Sequence, residues 1–178
     1  MNHSQRCRAV FLVILGLATI GATTGAGADV RHAGKHEHGT TNLGIAVEGT
    51  SLTLELDAPA ANFLGFEHPP ASEAEKQQLA KVLNLLRDGE ALFGTPPGAA
   101  CRLQSAAVSP PDYAASGHAD LEAFWEFRCG SPPALTWVEA KLFATFPANL
   151  KVSTSIVTDQ GQKAVVLTPG TTRALLPQ

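Results

Sequence analysis

The sequence predicts an α+β fold, in which a mainly antiparallel β-sheet domain carries one amphipathic helix and one disulfide. Several segments alternate apolar with polar residues and are joined by short turns, which is typical of strands with one buried face. One segment places its apolar residues at helical spacing instead. Two cysteines remain after an N-terminal export signal is removed, and they supply the disulfide.

The N-terminus is typical of a cleaved signal peptide. Arg6 and Arg8 precede an apolar run over residues 9–20, and small residues follow as far as Ala28. The apolar run is shorter than the roughly 20 residues that span a bilayer, although an uncleaved anchor stays open. We therefore expect a signal peptide at 1–28, a polar histidine-containing arm at 29–42, a single domain at 43–178, and no membrane insertion after cleavage.

The mature chain is acidic, which limits the class of partner. The full sequence has 13 Lys+Arg, and cleavage removes two of them, Arg6 and Arg8. The mature chain therefore has 11 basic residues and 16 Asp+Glu, and its formal net charge is −5. An acidic chain without a basic patch argues against nucleic acid or an anionic membrane as its partner.

A β-hairpin is predicted at the start of the domain. Leu43, Ile45 and Val47 alternate with small or polar residues, and three leucines alternate in the same way over residues 52–56. Residues 48–51 (Glu-Gly-Thr-Ser) supply the turn between them. The pattern predicts two strands with one buried face.

The amphipathic helix is predicted over about 73–88. Ser72 and Glu75 match a capping box, in which each side chain satisfies a free N–H group of the first turn. Gly89 ends the segment. We expect this helix to cover one face of the sheet through its apolar positions Leu79, Val82, Leu83 and Leu86.

Five later segments are predicted as strands. Alternation is clearest over 121–129, where five apolar residues from Leu121 to Cys129 fall on one face. Residues 159–161 (Asp-Gln-Gly) form a turn between the last two strands. The predicted strands are 101–108, 121–129, 135–143, 150–158 and 162–168.

Cys101 and Cys129 are the cysteines of the mature chain. An even number of cysteines in an exported protein indicates a disulfide. A pair of metal thiolates is the alternative, although no C-x-x-C motif supports it.

The histidines carry the metal-binding prediction. His36 and His38 form an H-x-H pair, and residues i and i+2 of an extended chain point to the same side, about 7 Å apart. Two such imidazoles can close on one ion, and zinc accepts imidazole nitrogen together with carboxylate oxygen. Glu67-His68 and His118-x-Asp120 repeat this ligand chemistry elsewhere in the chain.

Enzyme motifs are absent from the sequence. Gly-x-Ser-x-Gly, glycine-rich phosphate loops and H-E-x-x-H do not occur. We therefore expect no catalytic residues.

An ordered set of segments runs through the mature chain: 36–39, 43–49, 52–56, 58–68, Cys101, 118–120, 127–129, 142–147 and 161–162. This set resembles the ZrgA-like family, which comprises exported proteins of Gram-negative bacteria tied to zinc uptake. The stretch 62–68 (Asn-Phe-Leu-Gly-Phe-Glu-His) and the paired cysteines are the most specific parts of the resemblance.

The resemblance implies a periplasmic zinc-binding accessory protein that serves components of a zinc importer. It also implies candidate ligands at the motif positions. Family members often carry a long His/Asp-rich insert just before the position of His118, where this chain has residues 113–117. A few discrete sites are therefore expected rather than a high-capacity store. The candidate ligands are His36, His38, Glu67, His68 and His118, and Asp120 beside His118 adds a further carboxylate.

Alternative metals and functions stay open at this point. Imidazole also suits copper and nickel, and cleavage one residue later, after Asp29, would place His32 third from a free amine in a square-planar site for either ion. A metal-independent envelope interaction module is the second functional hypothesis. A zinc-dependent hydrolase, with Glu37 or Glu67 as general base, is the third.

Overall fold

The computed structural model describes residues 37–113 and 119–178. The predicted signal peptide, the arm as far as His36, and His118 lie outside the described residues. The described strands and α-helices, in chain order, are β1 Thr40–Glu48, β2 Ser51–Pro59, α1 Ala61–Leu64, α2 Glu73–Arg87, α3 Gly89–Leu92, β3 Phe93–Gly94, β4 Cys101–Ser109, β5 Asp120–Cys129, β6 Trp137–Ala140, α4 Leu142–Thr145, β7 Lys151–Thr158, β8 Gly161–Leu167 and β9 Arg173–Leu175.

Six of the strands form the larger sheet, in the order β4-β5-β2-β1-β7-β8. β1 and β7 pair in parallel, and the other four neighbouring pairs are antiparallel. A smaller sheet has the order β3-β6-β9. The predicted α+β class with a mainly antiparallel sheet is confirmed.

One face of the larger sheet forms the core. The predicted hairpin is present, with Gly49 and Thr50 at its turn between Glu48 and Ser51. Because side chains alternate across a strand, one set is buried and the other faces solvent. The buried set in the three central strands contains Leu43, Ile45, Leu52, Leu54, Leu56, Leu121, Ala123, Trp125 and Phe127.

The predicted helix is confirmed as α2, and it ends one residue earlier than expected. Its capping box is formed, with Ser72 Oγ accepting from Glu75 N at 3.2 Å and Glu75 Oε2 accepting from Ser72 N at 3.0 Å. Such a cap contributes about 1 kcal/mol. Trp125 Nε1 donates to the Leu86 carbonyl at 2.7 Å, which fixes the helix on the core side of the sheet. Within the described segments, no helix is long and apolar enough to cross a membrane.

Gly89 follows the helix for a steric reason. A Cβ at this position would lie 2.7 Å from Trp125 Cδ1, closer than any side chain tolerates. Gly89 therefore lets the backbone pass close to the buried Trp125 indole where α2 ends and α3 begins.

The predicted strand at 135–143 is partly wrong. β6 covers Trp137–Ala140, and α4 begins at Leu142. Leu142 and Phe143 are consecutive and both buried, which a strand with one solvent-exposed face cannot achieve because its successive side chains point to opposite faces. A helical turn buries both, and Phe146 N donates to the Leu142 carbonyl at 2.7 Å to close it.

The predicted disulfide is confirmed. Cys101 and Cys129 stand opposite each other in the β4–β5 pair and are bonded. The bond ties the first residue of β4 to the last residue of β5, at the end of the pair remote from the connection between the strands.

Candidate metal site

One edge of the larger sheet collects segments that are far apart in the sequence. Asn42 in β1 pairs with Asp57 in β2, Pro59 at the end of β2 pairs with Asp120, and Thr40 pairs with Lys151. The starts of β1, β5 and β7 therefore meet the end of β2. We call the edge formed by Thr40, Pro59, Asp120 and Lys151 the site edge, because every candidate ligand of the described residues lies on a segment that adjoins it.

The turn before β1 is fixed firmly to this edge. Thr40 N donates to the Glu37 carbonyl at 2.9 Å, and the Gly39 carbonyl accepts from Leu150 N at 2.8 Å and Lys151 N at 3.0 Å. Gly39 has a φ of +81°, a conformation that favours glycine. A Cβ on Gly39 would also lie 3.0 Å from Leu150 Cδ1. The glycine of His-Glu-His-Gly is thus required by the backbone that presents His38.

His38 meets Glu67 at the site edge. The distance between His38 Nε2 and Glu67 Oε1 is 3.0 Å, and the imidazole is 65% exposed whereas the carboxylate is 18% exposed. Two ligand atoms of a tetrahedral zinc ion, each at about 2.0–2.1 Å from the metal, lie about 3.3 Å apart. These two atoms can therefore bind one zinc ion after only a small outward shift of the exposed imidazole.

The Glu37 carboxylate contacts Lys151 and Thr40. It lies 3.0 Å from Lys151 Nζ and also accepts from Thr40 Oγ1 at 3.3 Å. The hydrogen bond and the positive charge of Lys151 lower the pKa of Glu37. Although Glu37 is adjacent to His38 in the sequence, its carboxylate belongs to an ion pair with β7.

His68 points toward the start of α2 rather than toward His38. Its Nδ1 lies 3.0 Å from the Pro69 carbonyl, and its Nε2 lies 3.8 Å from Glu75 Oε1. The ring stacks on Phe66 with centroids 5.1 Å apart. Backbone N–H groups of Ser72 and Ala71 lower the pKa of Glu75, and this ionised carboxylate faces the imidazole.

Asp120 and the neighbour of His118 also reach the site edge. Asp120 begins β5 opposite Pro59, and the Ala119 carbonyl accepts from Ala60 N at 2.8 Å. Ala60 immediately precedes α1, and the segment after α1 carries Glu67. The chain position next to His118 therefore lies beside the segment that contributes the carboxylate.

The described ligand set is a pair. Within residues 37–113 and 119–178, no three His, Cys, Asp or Glu side chains are grouped so that they could hold a metal ion. His36 is two residues before His38, and His118 is one residue before Ala119.

Two polar residues of this region were not predicted as functional. Asn62 and Asn149 are both buried beneath the turn that carries His38. The polar position of Asn62 in the otherwise apolar stretch Ala61–Leu64 was the available signal, but the sequence does not show which groups a buried amide would bond.

Comparison with known proteins places the chain in a family. The sequence profile described as "ZrgA family zinc uptake protein" matches residues 35–176, which is most of the chain. None of the curated proteins compared with the chain matches it. The profile begins one residue before His36, so the matched region contains all six candidate ligands.

Proposed function

The chain belongs to the ZrgA family of zinc uptake proteins, and from this premise we propose that it is a periplasmic zinc-binding accessory protein that supplies zinc to an importer. Export through a cleaved signal peptide accounts for the N-terminal sequence. The Cys101–Cys129 disulfide supports an oxidising compartment such as the periplasm.

The contact between His38 and Glu67 carries the proposal. A mixed imidazole and carboxylate pair at 3.0 Å is half of a tetrahedral zinc shell. His36 and His118 are the further ligands that we propose, because the residues that follow them, Glu37 and Ala119, are both hydrogen-bonded at the site edge. His68 stays with Glu75 and lies outside this ligand set.

Reversible delivery follows from these ligand types. Zinc affinity of imidazole falls as the ring protonates below about pH 6.5, and no free thiolate remains in the mature chain to hold the ion more tightly. A carrier with such a site releases zinc to a tighter acceptor. This chemistry suits an accessory protein better than a permanent structural zinc site.

Growth under zinc limitation tests the proposed function. A deletion strain should grow normally in rich medium and poorly with a zinc chelator, because an exported carrier helps only when zinc does not already saturate the importer. Added zinc should restore growth, whereas added iron or manganese should not. The sensitive version uses a strain that already lacks its main zinc importer.

Equal growth of deletion and parent in that background would remove zinc uptake as the function. It would favour the metal-independent envelope interaction module instead. Complementation by a variant with alanine at both His36 and His38 separates the two functions, because an interaction module would tolerate that change and a zinc carrier would not.

A further inference from the structure

Asn62 connects α1 to the turn that carries His38. Its side chain is buried, and its Oδ1 accepts from Gly39 N at 2.8 Å while its Nδ2 donates to the Thr40 carbonyl at 2.8 Å. The side-chain amide of Asn62 thus bonds the Gly39 N–H and the Thr40 carbonyl, much as the backbone of a neighbouring strand would.

A second buried amide completes the network below the first. Asn149 Nδ2 donates to the Asn62 carbonyl at 3.3 Å and to the Phe146 carbonyl at 3.2 Å. Thr41 Oγ1 donates to Asn149 Oδ1. Buried polar groups destabilise a core unless they are bonded, and each member of this network has its partners.

The location of this network is informative. Among the described residues, the buried polar side chains are Thr41, Asn62, Asn149 and Thr154, and the first three form the network at the site edge. Apart from Thr154, the other buried side chains of the core in the described residues are apolar. The buried polar side chains are therefore concentrated around the backbone that follows His38.

The segment from Asn62 to Glu67 contacts the turn that carries His38 at two points. Gly65, which has a φ of +83°, ends α1 between the two residues. Asn62 then holds the backbone after His38, and Glu67 meets the imidazole itself. One short segment thus contacts both the backbone after His38 and the imidazole of His38.

We propose that Asn62 is a positioning residue of the metal site, which fixes the backbone after His38 so that its imidazole meets the Glu67 carboxylate at ligand distance. This inference rests on the proposed function, since it assigns a role within the same zinc site. Groups that orient metal ligands from outside the coordination shell are commonly worth about 10-fold or more in affinity.

Zinc titration of the mature protein against a competing chromogenic chelator tests the inference. Asn62→Ala should weaken zinc binding by roughly tenfold. Ile156→Ala is the matched control, because Ile156 is equally buried, pairs with Ile45 in the middle of the sheet, and lies away from the site edge. It should destabilise the fold and leave zinc affinity unchanged.

A double-mutant cycle distinguishes positioning from a general loss of stability. If Asn62 acts through the His38–Glu67 pair, Asn62→Ala should cost much less zinc affinity in a Glu67→Gln background than in the wild type. Additive losses, or an equal loss in Ile156→Ala, would overturn the inference. Should Asn62→Ala fail to fold, Asn62→Ser replaces it, since a hydroxyl can bond one of the two backbone groups but not both.

A metal-free measurement separates this inference from the proposed function. The ¹⁵N shift of the His38 side chain reports its contact with Glu67 without zinc. It should move in Asn62→Ala toward its value in Glu67→Gln and stay unchanged in Ile156→Ala. An unmoved shift in Asn62→Ala would overturn the positioning role. An unmoved zinc affinity in Glu67→Gln would instead count against the proposed function.

Discussion

Replacing His36 and His38 together with alanine is expected to lower the zinc affinity of the mature protein by roughly tenfold or more, while the fold survives. The change removes two imidazoles of the proposed shell. The fold should survive because the His38 side chain is largely exposed and the turn is held by backbone groups of Gly39 and Thr40. Isothermal titration calorimetry of the metal-free protein measures the affinity.

Two control variants make that result specific. Glu37 lies between the two histidines, but its carboxylate pairs with Lys151. Glu37→Gln should therefore retain zinc affinity. His68→Ala removes an imidazole of the same kind whose Nε2 faces Glu75. It too should retain zinc affinity. Unchanged affinity in the double histidine variant would show that the H-x-H pair takes no part in binding.

Loss of the disulfide is expected to give the largest change in stability. Cys101 and Cys129 close a loop with a sequence separation of 28, and cross-linking a loop of this length removes unfolded-state entropy worth about 3–4 kcal/mol. Urea unfolding of the oxidised protein and of the Cys101→Ala, Cys129→Ala double variant should differ in the free energy of unfolding by that amount.

Reducing agent provides the control for that comparison. It should lower the unfolding midpoint of the wild type and leave the double variant unchanged. Thiol labelling of the denatured, unreduced mature protein should detect no free cysteine. Equal stability of the oxidised and cysteine-free proteins would contradict the expected contribution.

The regular part of the fold could be predicted because its pattern is local. Leu43 and Ile45 alternate with small or polar residues over a long strand, and Ser72 with Glu75 marks the start of α2 without reference to the rest of the chain. β3 and β9 are two and three residues long, too short to show a period. Leu142 and Phe143 were assigned to a strand because apolar runs do not distinguish a buried strand from a helical turn.

The candidate site was predictable in its residue types but not in its partners. Ligand chemistry together with the family resemblance selected His38 and Glu67, which are 29 positions apart in the sequence, and the fold brings them together. The same chemistry selected His68, which the structure pairs with Glu75. Asn62 was not selected, because both of its bonds go to backbone groups that no side-chain pattern reveals.

Anomalous diffraction at the zinc edge, on crystals of the mature protein grown with one equivalent of zinc, tests the central claim most directly. The account predicts one strong peak at the site edge, about 2.0–2.1 Å from both His38 Nε2 and a carboxylate oxygen of Glu67. An ordered zinc ion bound at His68 and Glu75 instead, or a His38–Glu67 pair that stays in direct contact with zinc in excess, would contradict it.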